Sequence, residues 1–217
     1  MIISRGRRYI FVHIPNTGGT AFSQALEAGA LDDDILIGDT PKARARAGQI
    51  KGLKSAGRLW KNSTLHDIEG LLTAAEIESF FTVTLVRNPW DRLVSLYHWL
   101  RLQRFAHSMV SIAKTHSFSG FLNHKTTRSL VFASPYGRAM TQPNGIEHAD
   151  LFIRIEAFAE DVRPFEAHLG YRLPPLPRLN TSDRTADWRP YYCADDATLV
   201  AMICGQDIAR FGYRFDR

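Results

Sequence analysis

The chain has 217 residues, a length typical of one domain, and its 45% hydrophobic and 23% charged residues match an ordinary soluble globular protein. The two cysteines, Cys193 and Cys204, are too few for a disulfide framework and favour a reducing compartment, and no apolar run reaches the about 18 residues of a transmembrane helix. The formal net charge of +5 favours an anionic partner, which can be nucleic acid, a polyanionic sugar or a phosphorylated nucleotide.

The N-terminal region predicts a buried strand, a loop and a helix. Residues 8–14, RYIFVHI, are short, apolar and rich in β-branched and aromatic side chains, and the helix after the loop ends near Gly29. The apolar run before Pro15 is short and no small-residue cleavage site follows it, so we expect no signal peptide and a cytoplasmic protein. A short strand is predicted at residues 34–38. The basic stretch 41–58 is either an exposed helix and loop or a mobile segment.

The middle of the chain carries the clearest secondary-structure signals. Thr73 and Glu76 form a capping-box pattern for a helix that reaches about residue 80. Residues 80–87, FFTVTLVR, predict a strand. Asn88 at the N-cap, with a proline in the next position, predicts a second helix start. The apolar face of that helix has helical spacing and consists of Leu93, Leu96, Tyr97 and Leu100.

The C-terminal part predicts one further strand and a closing helix. Residues 105–148 are helical in parts, and residues 151–156, LFIRIE, predict a strand with a helical stretch to Gly170 behind it. Residues 195–213 predict a single amphipathic helix. Strands that alternate with helices indicate an α/β fold with a mainly parallel sheet, and we expect one domain over residues 1–217.

The Gly-rich loop IPNTGGT, residues 14–20, is typical of an anion-binding site. A strand that enters such a turn and then a helix exposes backbone N–H groups at the positive end of the helix dipole, where phosphate or sulfate binds. Gly18 and Gly19 let the backbone approach the anion, and the hydroxyls of Thr17 and Thr20 can donate to it. The motif is not a Walker P-loop, because GxxxxGK[ST] is absent. On spacing alone, a tight turn whose glycines serve only geometry is an equal alternative.

A second strand–helix junction offers two further donors. Arg87 ends the predicted strand 80–87 and lies beside the Gly-rich loop if the two strands are neighbours. Ser95 lies seven residues after Asn88, which on an ideal helix places both on nearly the same side. Arginine supplies a charged, forked donor for a phosphate, and serine supplies a neutral one. The alternative is a capped helix with a solvent-facing serine and a surface arginine.

IPNTGGT, followed about seventy residues later by VRNPWDRLVSLY, resembles the sulfotransferase superfamily. The likeness is greatest to the group that contains bacterial sulfotransferases and Golgi carbohydrate sulfotransferases. It extends to His66 ahead of TAAEI, to LFIRIE, to LPRLNTS at residues 176–182 and to DIARFGY. The resemblance implies a three-layer, P-loop-kinase-like α/β fold with a central, mainly parallel sheet. It also implies the cofactor PAPS, 3′-phosphoadenosine 5′-phosphosulfate.

The resemblance further implies which residues bind this cofactor. Arg87 and Ser95 correspond to the pair that holds the 3′-phosphate. The loop for the 5′-phosphosulfate corresponds to Asn16, Thr17, Gly18, Gly19, Thr20 and Ala21.

The resemblance also implies catalytic roles for His66 and Asn16. His66 corresponds to the family's base, and an imidazole titrates near neutral pH. Asn16 stands where the family's PKTGGT motif has a lysine that contacts the bridging oxygen, and asparagine donates a hydrogen bond without a charge. Either Lys61, Arg184 or a cation of the basic stretch substitutes, or turnover is slow or lost. Residues 180–189 are expected to form a lid, and no metal is expected.

Three functions remain open on the sequence. The first is a PAPS-dependent sulfotransferase, with PAP as product, that acts on a hydroxyl or amine of a carbohydrate or small-molecule acceptor. The second is a PAPS- or PAP-binding protein with weak or no transfer. The third is a basic module that binds polyanions through residues 42–54. Neither nucleic acid nor a membrane is expected as partner, and an oligomer is compatible with the sequence.

Overall fold

The computed structural model of the protein describes residues 1–177 and 187–216. Contacts between residues divide the chain into two compact units. The first, here called the sheet unit, contains Met1–Val86 and the segment that begins at Tyr136. The second, here called the helical unit, contains Arg87–Pro135 and the C-terminal residues. A single domain over residues 1–217 stays a prediction.

The sheet unit is built on five strands. They are β1 (Ile2–Ser4), β2 (Tyr9–Val12), β3 (Ile35–Leu36), β4 (Phe81–Val86) and β5 (Leu151–Arg154). The order in the sheet is β3-β1-β2-β4-β5. The β2–β4 and β4–β5 pairs are parallel, whereas β1 is antiparallel to both β2 and β3. Four strands therefore run in one direction and β1 in the other, which confirms the predicted mainly parallel sheet.

The hairpin of β1 and β2 was not predicted from the sequence. Strand β1 has only three residues, too few for a periodic signal, and in the connecting turn, residues 5–8, a single glycine stands among three arginines. Arg8 adopts a left-handed φ of 54° in this turn, and the Ser4 hydroxyl accepts a hydrogen bond from the Arg7 backbone at 3.2 Å. Because β1 pairs with both, it lies between β3 and β2 in the sheet.

The helices follow the sequence prediction in most places. They are α1 (Gly19–Ala28), α2 (Pro41–Ala45), α3 (Ala74–Ser79), α4 (Pro89–Leu102), α5 (Ser108–Thr115), α6 (Phe118–Asn123), α7 (Lys125–Phe132), α8 (Tyr136–Ala139), α9 (Phe158–Asp161), α10 (Arg163–Leu169), α11 (Ala194–Ile203) and α12 (Gly205–Phe211).

Three details of these helices bear on the predictions. Thr73 and Glu76 form the capping box at α3, as predicted. The basic stretch 41–58 begins as α2 and a 3-10 turn, so it is a helix and loop. The closing helix is not single, because α11 and α12 are separated at Cys204. Across the described residues, no helix combines the length and the apolar character that a bilayer crossing needs.

Both faces of the sheet are covered, as a three-layer fold requires. Alternate residues of each strand point to opposite faces, so β1 sends Ile2 to one face and Ile3 to the other. One face packs against α1 and α10 through Phe22, Leu26 and Phe165. The opposite face packs against Ile68, Leu72, Ile77 and Met140.

The helical unit has its own apolar core. Asn88 caps α4 by accepting a hydrogen bond from the Trp90 backbone at 3.1 Å, as the sequence predicted. Three of the four predicted apolar positions of α4 are buried and Leu96 is half-buried against them. The core combines residues of α4 with those of α5, α6 and α11, including Leu93, Tyr97, Phe121 and Val200.

Candidate functional site

The loop between β2 and α1 has the backbone geometry of an anion cradle. Asn16 has φ 63° and Gly18 has φ 91°, so two left-handed residues flank Thr17. Such alternation gathers backbone N–H groups into a concavity that attracts anions. Gly18 is the N-cap of α1 and supplies no side-chain cap, so the first N–H groups of the helix are left for another acceptor.

The two threonines of the loop play different roles. The Thr17 side chain is 0% exposed, and its hydroxyl donates to the Ile14 carbonyl at 2.8 Å. In this structure the hydrogen of that hydroxyl closes the loop, and donation from the Thr17 hydroxyl to an anion stays a prediction. The Thr20 hydroxyl is half-buried in the first turn of α1 and has no hydrogen-bond partner among the described residues. Ala21 is half-buried beside it.

His13 packs directly against the helix start. A Cβ placed on Gly19 would overlap three atoms of the His13 imidazole, so this position has no room for a side chain. His13 is 7% exposed, and its carbonyl accepts a hydrogen bond from the Asn62 amide at 2.8 Å. Burial, helped by the nearby N-terminal ammonium and Lys61, lowers the pKa of His13 from 6.5 to about 3. The ring under the loop is therefore neutral at physiological pH.

Lys61, one predicted substitute for the missing lysine, lies in the segment that contacts β2. Its ammonium is 2.6 Å from the Asp39 carboxylate. Burial alone would raise the pKa of Asp39, but the hydrogen bond and charge of Lys61 hold it below its usual value. The charge of Lys61 is thus compensated by a carboxylate.

His66, the predicted base, occupies an exposed turn before α3. The Asp67 carboxylate fixes this turn by accepting from the backbone and hydroxyl of Thr64 at 2.7 and 2.9 Å. The imidazole of His66 has no hydrogen-bond partner among the described residues, so it is accessible but not oriented by the chain.

In the helical unit, Arg87 is held by a carboxylate one helical turn later. Its Nε donates to Asp91 Oδ2 at 2.7 Å, and its Nη2 lies 2.7 Å from the same oxygen. Both side chains are less than a fifth exposed, which strengthens the pair relative to one in open solvent. Asp91 therefore restricts the direction of the guanidinium. Ser95 lies on α4, half-buried, without a hydrogen-bond partner in the described residues.

The predicted lid, with Arg184 and Arg189, adds little to the site in the described residues. Arg184 and residues 180–186 of the predicted lid lie outside the described residues. Arg189 forms an exposed ion pair with Asp187 at 2.8 Å in the helical unit. In the part of the chain that the structure describes, no three histidine, cysteine or carboxylate side chains converge on a metal position.

Among solved structures, the chain is similar to mouse sulfotransferase SULT7A1 complexed with PAP. The similarity has a TM-score of 0.55 at 16% sequence identity and covers 94% of this chain and 86% of the mouse chain. The fold is that of a sulfotransferase. No protein-family model matches the chain, and neither does any curated protein.

Within the sulfotransferase fold, two features of the site were not predicted. The ring of His13 against Gly19 and the carboxylate of Asp91 on Arg87 both shape donors that the sequence had singled out. The Arg87–Asp91 spacing was visible in the sequence as an i, i+4 pair, which places two residues on one helix face. Nothing in the sequence signals the approach of His13 to Gly19, because it depends on how the loop folds back.

Proposed function

We propose that this protein is a sulfotransferase that moves a sulfuryl group from PAPS to a hydroxyl or amine of a carbohydrate or small-molecule acceptor. The observation that carries the proposal is the β2–α1 loop, whose two left-handed residues and uncapped helix start suit a phosphosulfate. The sulfotransferase fold supports it. We place the chain with the bacterial and carbohydrate sulfotransferases, whose loop motif it resembles.

In this proposal the loop residues Asn16–Ala21 bind the 5′-phosphosulfate. They do so through the N–H groups of the helix start and through the Thr20 hydroxyl. Arg87 and Ser95 bind the 3′-phosphate, and Asp91 holds the Arg87 guanidinium in one orientation. A forked guanidinium fixed by a carboxylate loses less conformational entropy when it binds a phosphate.

His66 acts as the base that takes the proton of the acceptor. Bound PAPS supplies a sulfuryl group activated by a phosphate leaving group. His66 accepts the acceptor proton while the acceptor oxygen or nitrogen bonds to sulfur and the bond between sulfur and the bridging oxygen breaks. A positioned base contributes about 10²–10⁴-fold to such a step. Asn16 donates a hydrogen bond to the bridging oxygen, where negative charge builds up.

A second function is favoured by one residue. Asn16 carries no charge, and Lys61 is compensated by Asp39. A loop that binds PAPS or PAP without a cation at the bridging oxygen describes a binding protein with weak or no transfer. Uncompensated charge on the leaving group would cost such a protein turnover but not affinity.

A PAP titration tests the shared part of both functions. PAP should raise the unfolding temperature of the wild-type chain, because a ligand that binds only the folded state stabilises it. Arg87→Ala should weaken PAP binding by about 1.5–3 kcal/mol, the contribution of a charged hydrogen bond. Arg101→Ala, at the far end of α4, is the matched control and should bind PAP normally.

The outcomes separate the candidates. Turnover of PAPS with a mixture of acceptors identifies the enzyme, and PAP binding without turnover identifies the binding protein. If PAP fails to stabilise the wild type, the nucleotide site is refuted. If Arg87→Ala binds PAP as tightly as Arg101→Ala does, the 3′-phosphate assignment is refuted.

A further inference from the structure

The sheet unit contains a long basic segment that the proposed function does not use. Residues 40–66 hold seven lysines and arginines and no aspartate or glutamate. Three of these cations fix the segment in place. Lys42 donates to the Glu27 carbonyl, Arg46 contacts the Leu31 carbonyl and Asp32, and Lys61 pairs with Asp39.

The other four cations face solvent. Among the described residues none of them has a carboxylate partner or a side-chain hydrogen bond, and all four are exposed. They are Arg44, Lys51, Lys54 and Arg58. These four side chains make no hydrogen bond or ion pair with the described residues that holds the segment in place, so their charge is available to an anionic ligand.

Two of the exposed cations flank a contact with the turn that carries His66. The Ala56 N–H donates to the Glu69 carbonyl at 2.8 Å, and the Gly57 N–H donates to the Asp67 carbonyl at 3.0 Å. A Cβ on Gly57 would overlap the Asp67 carboxylate, so the segment around Gly57 and the turn that carries His66 lie in direct contact. Lys54 and Arg58 are the cations on either side of this contact.

The carboxylates on the turn leave this charge largely intact. Asp67 is already committed to Thr64, from which it accepts two hydrogen bonds. Glu69 is exposed and is the other carboxylate on the turn. Four exposed cations outnumber this one exposed carboxylate, so the segment together with the turn remains positive.

An exposed aromatic residue, Trp60, follows Arg58 by two positions in the chain. Trp60 is 45% exposed, and its backbone N–H donates to the Ser63 hydroxyl at 2.9 Å. The same hydroxyl donates to the Arg58 carbonyl at 3.0 Å, which ties Arg58 and Trp60 to the start of the His66 turn. An exposed flat ring in the same short segment as exposed cations suits a sugar ring that carries an acidic group.

We propose that residues 44–60 bind the acceptor, and that this acceptor is an acidic carbohydrate with carboxylate or sulfate groups near the hydroxyl that receives the sulfuryl group. The inference rests on the proposed function, because it takes His66 as the base. The exposed cations pair with the anionic groups, Trp60 packs on a sugar ring, and the hydrogen-bonded contact with the turn brings the hydroxyl towards His66.

Binding of dextran, carboxymethyl-dextran and dextran sulfate of equal chain length tests the site. These probes share one backbone and differ in charge, so they separate carboxylate from sulfate recognition and both from neutral sugar. The variant Lys54→Glu/Arg58→Glu should bind the preferred charged dextran at least about tenfold more weakly at about 0.15 M salt, equivalent to about 1.4 kcal/mol. Trp60→Ala should also weaken it, with no change of charge.

The matched control is Arg101→Glu/Arg104→Glu, which changes the net charge equally at exposed positions of the helical unit. It should bind charged dextran within about twofold of the wild type, because neither arginine belongs to the proposed site and salt screens the general effect of net charge. An equal loss in both double variants would show a response to net charge alone and would overturn the inference. If the wild type binds neutral dextran as tightly as it binds the charged dextrans, the inference would be overturned as well.

PAP stabilisation, measured on the same proteins, separates this inference from the proposed function. If PAP stabilises every variant equally, and Lys54→Glu/Arg58→Glu and Trp60→Ala raise the KM for a charged acceptor at constant kcat while Arg101→Glu/Arg104→Glu does not, the acceptor site is supported. If PAP stabilises every variant and the KM does not change, the acceptor inference alone is overturned. If PAP does not stabilise the wild type, the proposed function fails and the acceptor role fails with it, whatever the dextran results are.

Discussion

Replacement of Gly19 by alanine tests the packing beneath the loop. Alanine has the higher helix propensity and would by itself stabilise the first turn of α1 by up to about 1 kcal/mol. The added Cβ, however, would overlap three atoms of the His13 ring. The ring has little freedom to move, because it is buried and stacks on the Phe11 ring with 6.0 Å between the ring centroids. The Asn62 hydrogen bond also fixes the His13 backbone.

The overlap should outweigh the propensity. Overpacking in an ordered core costs about 1–3 kcal/mol, and a rigid buried ring places this site near the upper value. Subtracting the propensity gain of about 1 kcal/mol leaves a net loss of about 2 kcal/mol of unfolding free energy. In the His13→Ala background the obstacle is gone, so Gly19→Ala should be neutral or stabilising. The two substitutions should therefore be coupled by about 2–3 kcal/mol.

Urea unfolding of the wild type, both single variants and the double variant measures this coupling. PAP affinity, measured on the same four proteins, reports whether the loop keeps its shape, and Gly19→Ala should bind PAP more weakly. Gly48→Ala is a matched control, because a Cβ there meets no atom within 4 Å. A Gly19→Ala protein that is as stable as the wild type, or an unchanged penalty in the His13→Ala background, would refute the packing argument.

Three further predictions concern the same site. His66→Ala should leave PAP affinity nearly unchanged and lower the turnover number by about 10²–10⁴-fold, and a variant that loses folding and binding together would show a structural role instead. Asn16→Lys should raise turnover by up to about 10²–10³-fold with little gain in PAP affinity, because it restores a charge where negative charge develops. A slower lysine variant of an already fast enzyme would show that another cation fills the role. His13, with its pKa lowered from 6.5 to about 3, takes up a proton in the unfolded chain at a higher pH than in the folded one. Its contribution to stability is therefore present above about pH 6.5 and is lost as the pH falls towards 3. Urea unfolding across this range should show a smaller pH slope for His13→Leu than for the wild type, and equal slopes would contradict the buried neutral ring.

Local signals in the sequence determined much of the fold. The capping box of Thr73 and Glu76, the N-cap at Asn88 and the apolar strand of residues 81–86 depend on residues close in sequence. The Gly-rich loop was also recognisable, because left-handed backbone and close approach to an anion require particular residue types at adjacent positions. Most strands and helices, and the choice of loop residues for the candidate site, could be predicted for this reason.

Long-range packing decided the rest. The strand β1 is too short to be recognised alone and exists because β2 and β3 pair with both of its edges. The ring of His13 meets Gly19 only because the loop folds back, and Asn62, 49 residues away in sequence, holds the His13 carbonyl. The Thr17 hydroxyl turned inward to Ile14, although its residue type alone suggested a donor to the ligand. Residue type determines which hydrogen bonds a side chain can make, but only tertiary contacts decide which of them are left for a ligand.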